Sequence, residues 1–310
     1  MFWKCFGKSN ISKKNEFSSF HDYKTLTVNT YFEFSDIIIH ELSKLVQSKM
    51  IEENIYGNSF QQFLLDVYEN YRTDLPYHNQ QHIIDVFQFS MCLIQRHRNL
   101  LWNLSKNDIF TFCLAVLTHD IGHDGKSNED VSGVNLSFTD NDDISLCSST
   151  YSSSCNEINH IIIGSCLLKK YGIVYNHGLY NKLIFITDMQ YHQSFVKNTF
   201  DYNPFYGNQV DITYNQTKVD VLRLFLKISD IGHIMRPWNN HVKHVIGFNN
   251  ERKYPLELIE LASDTINFNN TFVLPLLGKI KEINIGLYYK LRKYYLINMN
   301  NWKILNNFFL

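Results

Sequence analysis

The chain has 310 residues, 45% hydrophobic and 19% charged, with 13 Gly and 5 Pro; a protein of that size can bury a full core and has too few chain-breaking residues for an architecture of many short strands and turns. Its 29 basic and 30 acidic side chains leave a net charge of −1, which excludes the basic excess of a dedicated nucleic-acid or anionic-membrane binder. No segment approaches the roughly 18 consecutive apolar residues of a membrane span, and the basic, polar stretch Met1 to Glu16 has no apolar centre to make it a secretory signal.

Residues 1 to about 20 carry no periodicity and are expected to form a loose tail before a single helical domain over 21–310. From Tyr31 the pattern turns helical: Phe32, Ile38, Leu42, Leu45 and Val46 share one face, as do Phe60, Phe63, Leu64, Val67, Tyr68 and Tyr71. The spacing predicts further helices over 84–101, 108–118, 158–171, 179–187, 218–228 and 271–296. Long helical periods in close succession, with no alternating strand pattern between them, describe an all-α multi-helix bundle. The polar, Ser-rich stretch 137–154 has no apolar residues to bury and reads as an exposed loop inside the domain. The six cysteines (Cys5, Cys92, Cys113, Cys147, Cys155 and Cys166) lack metal-type pair spacing, which points to free thiols in a reducing compartment.

The thirteen histidines carry the chemistry. His78 and His82 are four apart after Pro76; if a helix opens here, both project from one face. His119, Asp120 and His123 follow the apolar run Ile109 to Leu117, and Asp230 follows the run Val219 to Leu226. A carboxylate and imidazoles at the buried ends of apolar helices are costly without a compensating cation. His160 after Glu157, and His192 after Thr187 and Asp188, are polar groups set in further helical periods. Taken singly, a His-Asp pair is more often a helix end than a ligand, and His21, His40, His97, His177, His241 and His244 read as solvated or core-edge residues. The coincidence of His, His-Asp and Asp supplies two neutral nitrogens and two hard oxygens, a donor set for Zn²⁺, Mg²⁺ or Mn²⁺ with open coordination positions.

From about Tyr68 to the C-terminal helices the sequence resembles the catalytic domain of the class I 3′,5′-cyclic-nucleotide phosphodiesterases, within the HD metal-hydrolase superfamily. The resemblance rests on Tyr77-His78-Asn79-x-x-His82-x-x-Asp85-Val86, His119-Asp120-x-x-His123-x-Gly125-x-x-Asn128, Glu157-x-x-His160, Thr187-Asp188-Met189-x-x-His192 and the Asp230 segment. It implies a compact bundle of many helices. By the same resemblance, His82, His119, Asp120 and Asp230 would hold a first metal, usually zinc, with Asp120 bridging to a second, usually magnesium or manganese. His123, Glu157 and Thr187 would orient the water around these ions. The ions would neutralise the cyclic phosphate and activate water for attack on phosphorus, and His78 would protonate the departing 3′ oxygen. The substrate would be cyclic AMP or cyclic GMP, the product a nucleoside 5′-monophosphate, and the location the cytoplasm, with any regulatory or membrane-attaching segments outside this chain.

The C-terminal third departs from the family pattern. The acidic, Gly/Pro-rich pocket wall is reduced to Glu251-Arg252-Lys253-Tyr254-Pro255. Where the family carries Ser-Gln-x-Gly-Phe, this chain has Asp264-Thr265-Ile266-Asn267-Phe268, which keeps the base-stacking Phe268 but puts Thr265 at the glutamine position. A threonine cannot make the two-point contact of a carboxamide. Two other readings follow: an HD-type phosphohydrolase acting on another nucleotide, against which the Tyr-His-Asn and Thr-Asp-Met segments stand, and a weakly active regulatory or binding protein, against which the intact ligand set stands.

Overall fold

A computed structural model describes residues 31–45, 57–96, 104–131, 154–200, 205–206, 209–210 and 215–308. The expected tail, most of the 137–154 loop, His21, His97, Cys5 and Cys147 lie outside the described residues. The first half of the chain forms α1 (Tyr31–Leu45), α2 (Asn58–Asn70), α3 (Gln80–Arg96), α4 (Lys106–Thr118), the single turn α5 (Asn128–Val131) and α6 (Cys155–Lys170). Then come α7 (His177–Phe185), α8 (His192–Asn198), a two-stranded hairpin of β1 (Phe205–Tyr206) and β2 (Gln209–Val210), and α9 (Asn215–Ile231). The C-terminal part is α10 (Trp238–Glu251), α11 (Leu258–Phe268), α12 (Leu274–Ile283) and α13 (Ile285–Phe308). Apart from the hairpin, in which Phe205 pairs with Val210, the regular structure among the described residues is helical.

Helix α4 is the axis of the fold. Every residue from Ile109 to Thr118 is buried, as an all-round apolar sequence requires, and its start is fixed by a capping box between Ser105 and Asp108. It packs on α3 and α7, while α3 also meets α9, so the helices that end at or begin with the histidine motifs converge on one place. A second, smaller core joins Val245, Leu261, Ala262 and Trp302 from α10, α11 and α13. Asn298 of α13 donates to the carbonyls of Ile234 and Arg236 at 2.6 and 2.7 Å, which ties the C-terminal helix to the turn after Asp230.

Three sequence expectations change. In α1 the buried face is Phe34, Ile38 and Leu42, and Phe32 is 69% exposed. The period over 271–296 is not one helix: α11 passes through a π-turn at Asn269–Val273 into α12, and Asn284 breaks the chain in an extended conformation before α13. Helix α3 starts at Gln80 rather than before His78, because the Asn79 side chain caps it, its Oδ1 accepting from the amides of Gln81 (2.9 Å) and His82 (3.2 Å). His78 therefore sits in the turn ahead of the helix, not on one face with His82.

Two glycines shape the site from behind. Gly122 follows the His119-Asp120 pair with φ +73°, and a Cβ there would lie 2.5 Å from Ile163 Cδ1. Gly122→Ala combines a left-handed backbone with that clash, so it should cost about 1–3 kcal/mol of unfolding free energy, read as a lower urea midpoint; an unchanged midpoint would show that the turn does not need the conformation. Gly247 lets α10 approach the Pro76 carbonyl, which a Cβ would meet at 2.7 Å, and this approach carries the end of α10 to His78.

Candidate active site

At the ends of α4 and α9 and the start of α3, one ligand atom each from His82, His119, Asp120 and Asp230 lies within 4.8 Å of the others. His82 Nε2 is 3.3 Å from Asp120 Oδ2 and 3.3 Å from Asp230 Oδ1; His119 Nε2 is 3.2 and 3.6 Å from the same two atoms. Both imidazoles are buried, yet His82 Nδ1 and Nε2 and His119 Nε2 have no hydrogen-bond partner. His119 Nδ1 faces the Val116 carbonyl at 2.9 Å, which assigns its proton there and leaves Nε2 as a lone pair aimed at the carboxylates. Orphaned buried nitrogens facing two carboxylate oxygens fit a divalent cation.

The electrostatics agree with that fit. Burial would raise Asp120 and Asp230, but the adjoining imidazoles outweigh it and hold both well below the ordinary carboxylate range. Burial would lower His82 and His119, and the same carboxylates raise both. Without a cation, protons take its place, so cation uptake is coupled to proton release.

His78 is held from α10. Glu251, the last residue of that helix, contacts His78 Nδ1 through Oε1, while its Oε2 accepts from the amides of Tyr77 (2.8 Å) and His78 (3.0 Å). Burial pushes Glu251 up, but the His78 hydrogen bond and the two amides prevail and bring it down to about 2. A permanent carboxylate on Nδ1 orients the ring and leaves Nε2 to carry a proton into the cavity. His123 stacks on His78 with ring centroids 3.8 Å apart. Burial and the His78 charge push His123 down to about 3, so it stays a neutral ring beside its neighbour. His78, His123 and Glu251 form a second convergent group within 4.8 Å.

The surrounding polar groups divide into those that face the cavity and those that brace it. Glu157 accepts from Asn128 at 2.9 Å; burial first, then the charge of Asp188, raise it to about 7. A raised carboxyl stabilises the fold below its unfolded pKa and loses that contribution as pH rises through the folded value. In chelator, Glu157→Gln should therefore gain roughly 3 kcal/mol on the native protein between pH 4.5 and pH 8 in urea denaturation, and parallel stabilities at both pH values would refute the assignment. Thr187 lines the cavity but turns its hydroxyl back to the Ile184 carbonyl at 2.8 Å. His160 donates from Nδ1 to the Ile121 carbonyl at 2.7 Å, and His192 is buried against Phe272. Lys227, fully buried, donates to the carbonyls of Ile186 (2.6 Å) and Asp188 (3.2 Å), which fastens the Thr187–Met189 wall to α9; burial brings this lysine down to about 8 despite its acidic neighbours.

The sequence assigns Glu251 only to the pocket wall and puts His241 among the solvated or core-edge residues. His40 and His177 are exposed as expected, but His241 is fully buried and His244 pairs with buried Asp85 at 2.7 Å. Trp302 donates to His241 Nε2 at 2.6 Å, and His241 Nδ1 meets His233 Nδ1 at 2.8 Å. An indole N–H can only donate, so the proton on His241 is on Nδ1 and His233 keeps its own on Nε2. Asp85 is further held by Arg236 at 3.2 Å. These contacts join α3, α10 and α13 through side chains distant in sequence, and no local pattern announces them.

Asp120 and Asp230 of the cluster, His78 and His123 open on one cavity of about 520 Å³, whose wall also includes Phe248, Arg252, Leu261, Thr265, Phe268 and Asn269. Arg252 is paired with Asp264 at 2.6 Å, and of the short segment after Glu251 it is Arg252 that lines the cavity. Thr265 and Phe268 both reach the cavity, from α11.

The sequence profile of the 3′5′-cyclic nucleotide phosphodiesterases matches residues 77–284. The chain is 30% identical over 248 residues, 72% of its length, to cGMP-specific 3′,5′-cyclic phosphodiesterase alpha of Plasmodium falciparum (isolate 3D7), of which it covers 23%. It is 27% identical over 311 residues, 93% of its length, to the delta enzyme of the same name and organism, of which it covers 36%. The chain thus spans between 23% and 36% of the length of these curated relatives. In fold it is similar to the phosphodiesterase domain of the RhoPDE fusion protein from the choanoflagellate Salpingoeca rosetta, with a TM-score of 0.78 at 17% identity over 96% of this chain and 97% of that one.

Proposed function

The chain belongs to the 3′5′-cyclic nucleotide phosphodiesterase family, and from that premise we propose that residues 21–310 form one catalytic domain that hydrolyses the 3′ phosphoester of a 3′,5′-cyclic nucleotide to the nucleoside 5′-monophosphate. The observation that carries the reading is that Asp120 and Asp230 of the four-residue His/Asp cluster, and His78 held by Glu251, line one cavity. A protein that only binds a nucleotide needs no proton donor held by a buried carboxylate next to a cation site.

His82, His119, Asp120 and Asp230 would hold one divalent ion, Zn²⁺ being suited by the two imidazole nitrogens beside the two carboxylates, and Asp120 would share a second, Mg²⁺ or Mn²⁺. When bound, the ions supply neutralisation of the phosphate charge and an activated water. The protein does the rest. Glu157, braced by Asn128, faces the space beside Asp120 and accepts hydrogen bonds there, with Thr187 and neutral His123 as neighbouring walls. His78, oriented by Glu251, donates its Nε2 proton to the 3′ oxygen as the P–O bond breaks. Phe268 and Phe248 enclose the base between apolar faces, and Thr265 offers a hydroxyl at its edge. The cyclic guanosine form is the first substrate to try, since both Plasmodium relatives are named for it.

Purified protein loaded with Zn²⁺ and Mg²⁺ or with Mn²⁺ should convert cyclic GMP or cyclic AMP to the 5′-monophosphate, followed by chromatography. Full metal loading without product from either nucleotide would refute the hydrolase reading. No helix among the described residues is long and apolar enough to cross a membrane.

A further inference from the structure

Helix α13 carries a face that the catalytic reading leaves without a use. Its inner side is anchored: Leu287, Leu291, Tyr295, Met299 and Trp302 are buried, and the helix packs on α11 and α12. Its outer side presents Ile285, Tyr289, Leu296, Ile297 and Ile304, each between 44% and 61% exposed. At about 100° per residue these five fall in one sector of the helix, and Lys290, Lys293 and Lys303 fall in the same sector. Single exposed aliphatic side chains are ordinary, but these recur along one side of a helix about 36 Å long.

The charge on the helix is equally one-sided. Helix α13 has four basic residues and no acidic one, so it carries +4 in a chain whose total is −1, leaving −5 for the rest. Two exposed lysines elsewhere pair with carboxylates, Lys126 with Asp124 and Lys170 with Asp66. Lys290, Lys293 and Lys303, all exposed, have no carboxylate partner among the described residues. A whole-chain balance near zero does not disclose such a local basic helix.

We propose that this face of α13 docks the protein on an anionic lipid surface, lying along it with the aliphatic groups at the headgroup boundary and the lysines at the phosphates. Charge complementarity selects that occupant. A second copy would set lysines against lysines across a helix with no carboxylate to answer them. Nucleic acid would answer the lysines but not the isoleucines and the leucine. An anionic bilayer answers both, and it repels the −5 on the remainder of the chain, which fixes the side that faces the lipid. Among the described residues none of α13 lines the cavity, so the docked protein keeps its site open. Docking needs no turnover, so its test stands apart from that of the hydrolase.

The test is flotation of the full chain with phosphatidylcholine vesicles, with or without about one-third phosphatidylserine, at about 0.1 M salt. Native protein should partition onto the anionic vesicles at least about tenfold more than onto the neutral ones, and about 0.5 M salt should remove most of that difference. The triple variant Lys290→Gln/Lys293→Gln/Lys303→Gln should lower partitioning at least about tenfold. Lys169→Gln/Lys182→Gln/Lys197→Gln removes the same charge from exposed lysines of α6, α7 and α8 and should change it less than about threefold. Leu296→Asn/Ile304→Asn should lower it about tenfold by weakening the apolar anchor. All these positions are exposed, so urea midpoints and kcat in vesicle-free solution should stay native. Native protein that stays off anionic vesicles, equal losses in the two lysine triples, or an inert Leu296/Ile304 pair would overturn the docking face. A concentration-dependent dimer in vesicle-free sedimentation, abolished by Leu296→Asn/Ile304→Asn, would overturn it in favour of a second copy.

Discussion

Replacing Asp120 with Asn should abolish turnover and cut the bound divalent metal, because this carboxylate approaches both imidazoles of the cluster and would serve both ions. Asn offers a neutral carbonyl of nearly the same shape, so the fold is preserved while the charge that answers the cation is lost. Several kcal/mol of transition-state charge stabilisation depend on the ions, so kcat should fall on the order of 10³-fold or more. Elemental analysis should find fewer ions per chain than in the native protein. Proton release on metal uptake should also shrink, since Asp120 is a leading cause of the raised imidazoles. Near-native metal content together with near-native kcat would rule out Asp120 as a ligand.

His78→Gln should separate the chemistry from the metal. The ring is not in the four-residue cluster, so metal content should be native, whereas kcat for a cyclic nucleotide should fall about 10²–10⁴-fold with the loss of the proton donor. A p-nitrophenyl phosphodiester, whose leaving group departs without a proton, should lose far less. An equal loss on both substrates would mean that His78 holds substrate or metal rather than the proton. Glu251 lies near 2 and stays ionised throughout the working range, so it contributes no acidic limb of its own above about pH 4. Glu251→Gln, which keeps the hydrogen bond to the ring but not the charge, should reduce kcat by a smaller factor than His78→Gln.

The candidate site divides between what lies within a few residues of sequence and what is assembled across the chain. His119-Asp120 and Asp230 were legible because each ends an apolar helical run, and a charge at the buried end of such a helix requires a partner. Pro76 suggests a helix opening around His78, whereas the Asn79 cap sets the boundary at Gln80. The long C-terminal period was read as one helix because apolar spacing is blind to a break at Asn284 and to a π-turn. Glu251 could not have been chosen among 30 acidic residues: its partner is 173 positions away, and the contact exists only because Gly247 lets α10 close on Pro76.

The set His82, His119, Asp120 and Asp230 is what the family resemblance implies; from local pattern alone follow the helical class, the net charge of −1 and a coincidence of His, His-Asp and Asp near the ends of apolar runs. These are properties of local period and residue chemistry, which survive without knowledge of the neighbours. The tertiary structure decided which way the donors face, which carboxylate orients His78, that His241 is an interior group and that His244 pairs with buried Asp85. Each of those depends on side chains brought together from separate helices, where packing, rather than any pattern along one helix, selects the partner.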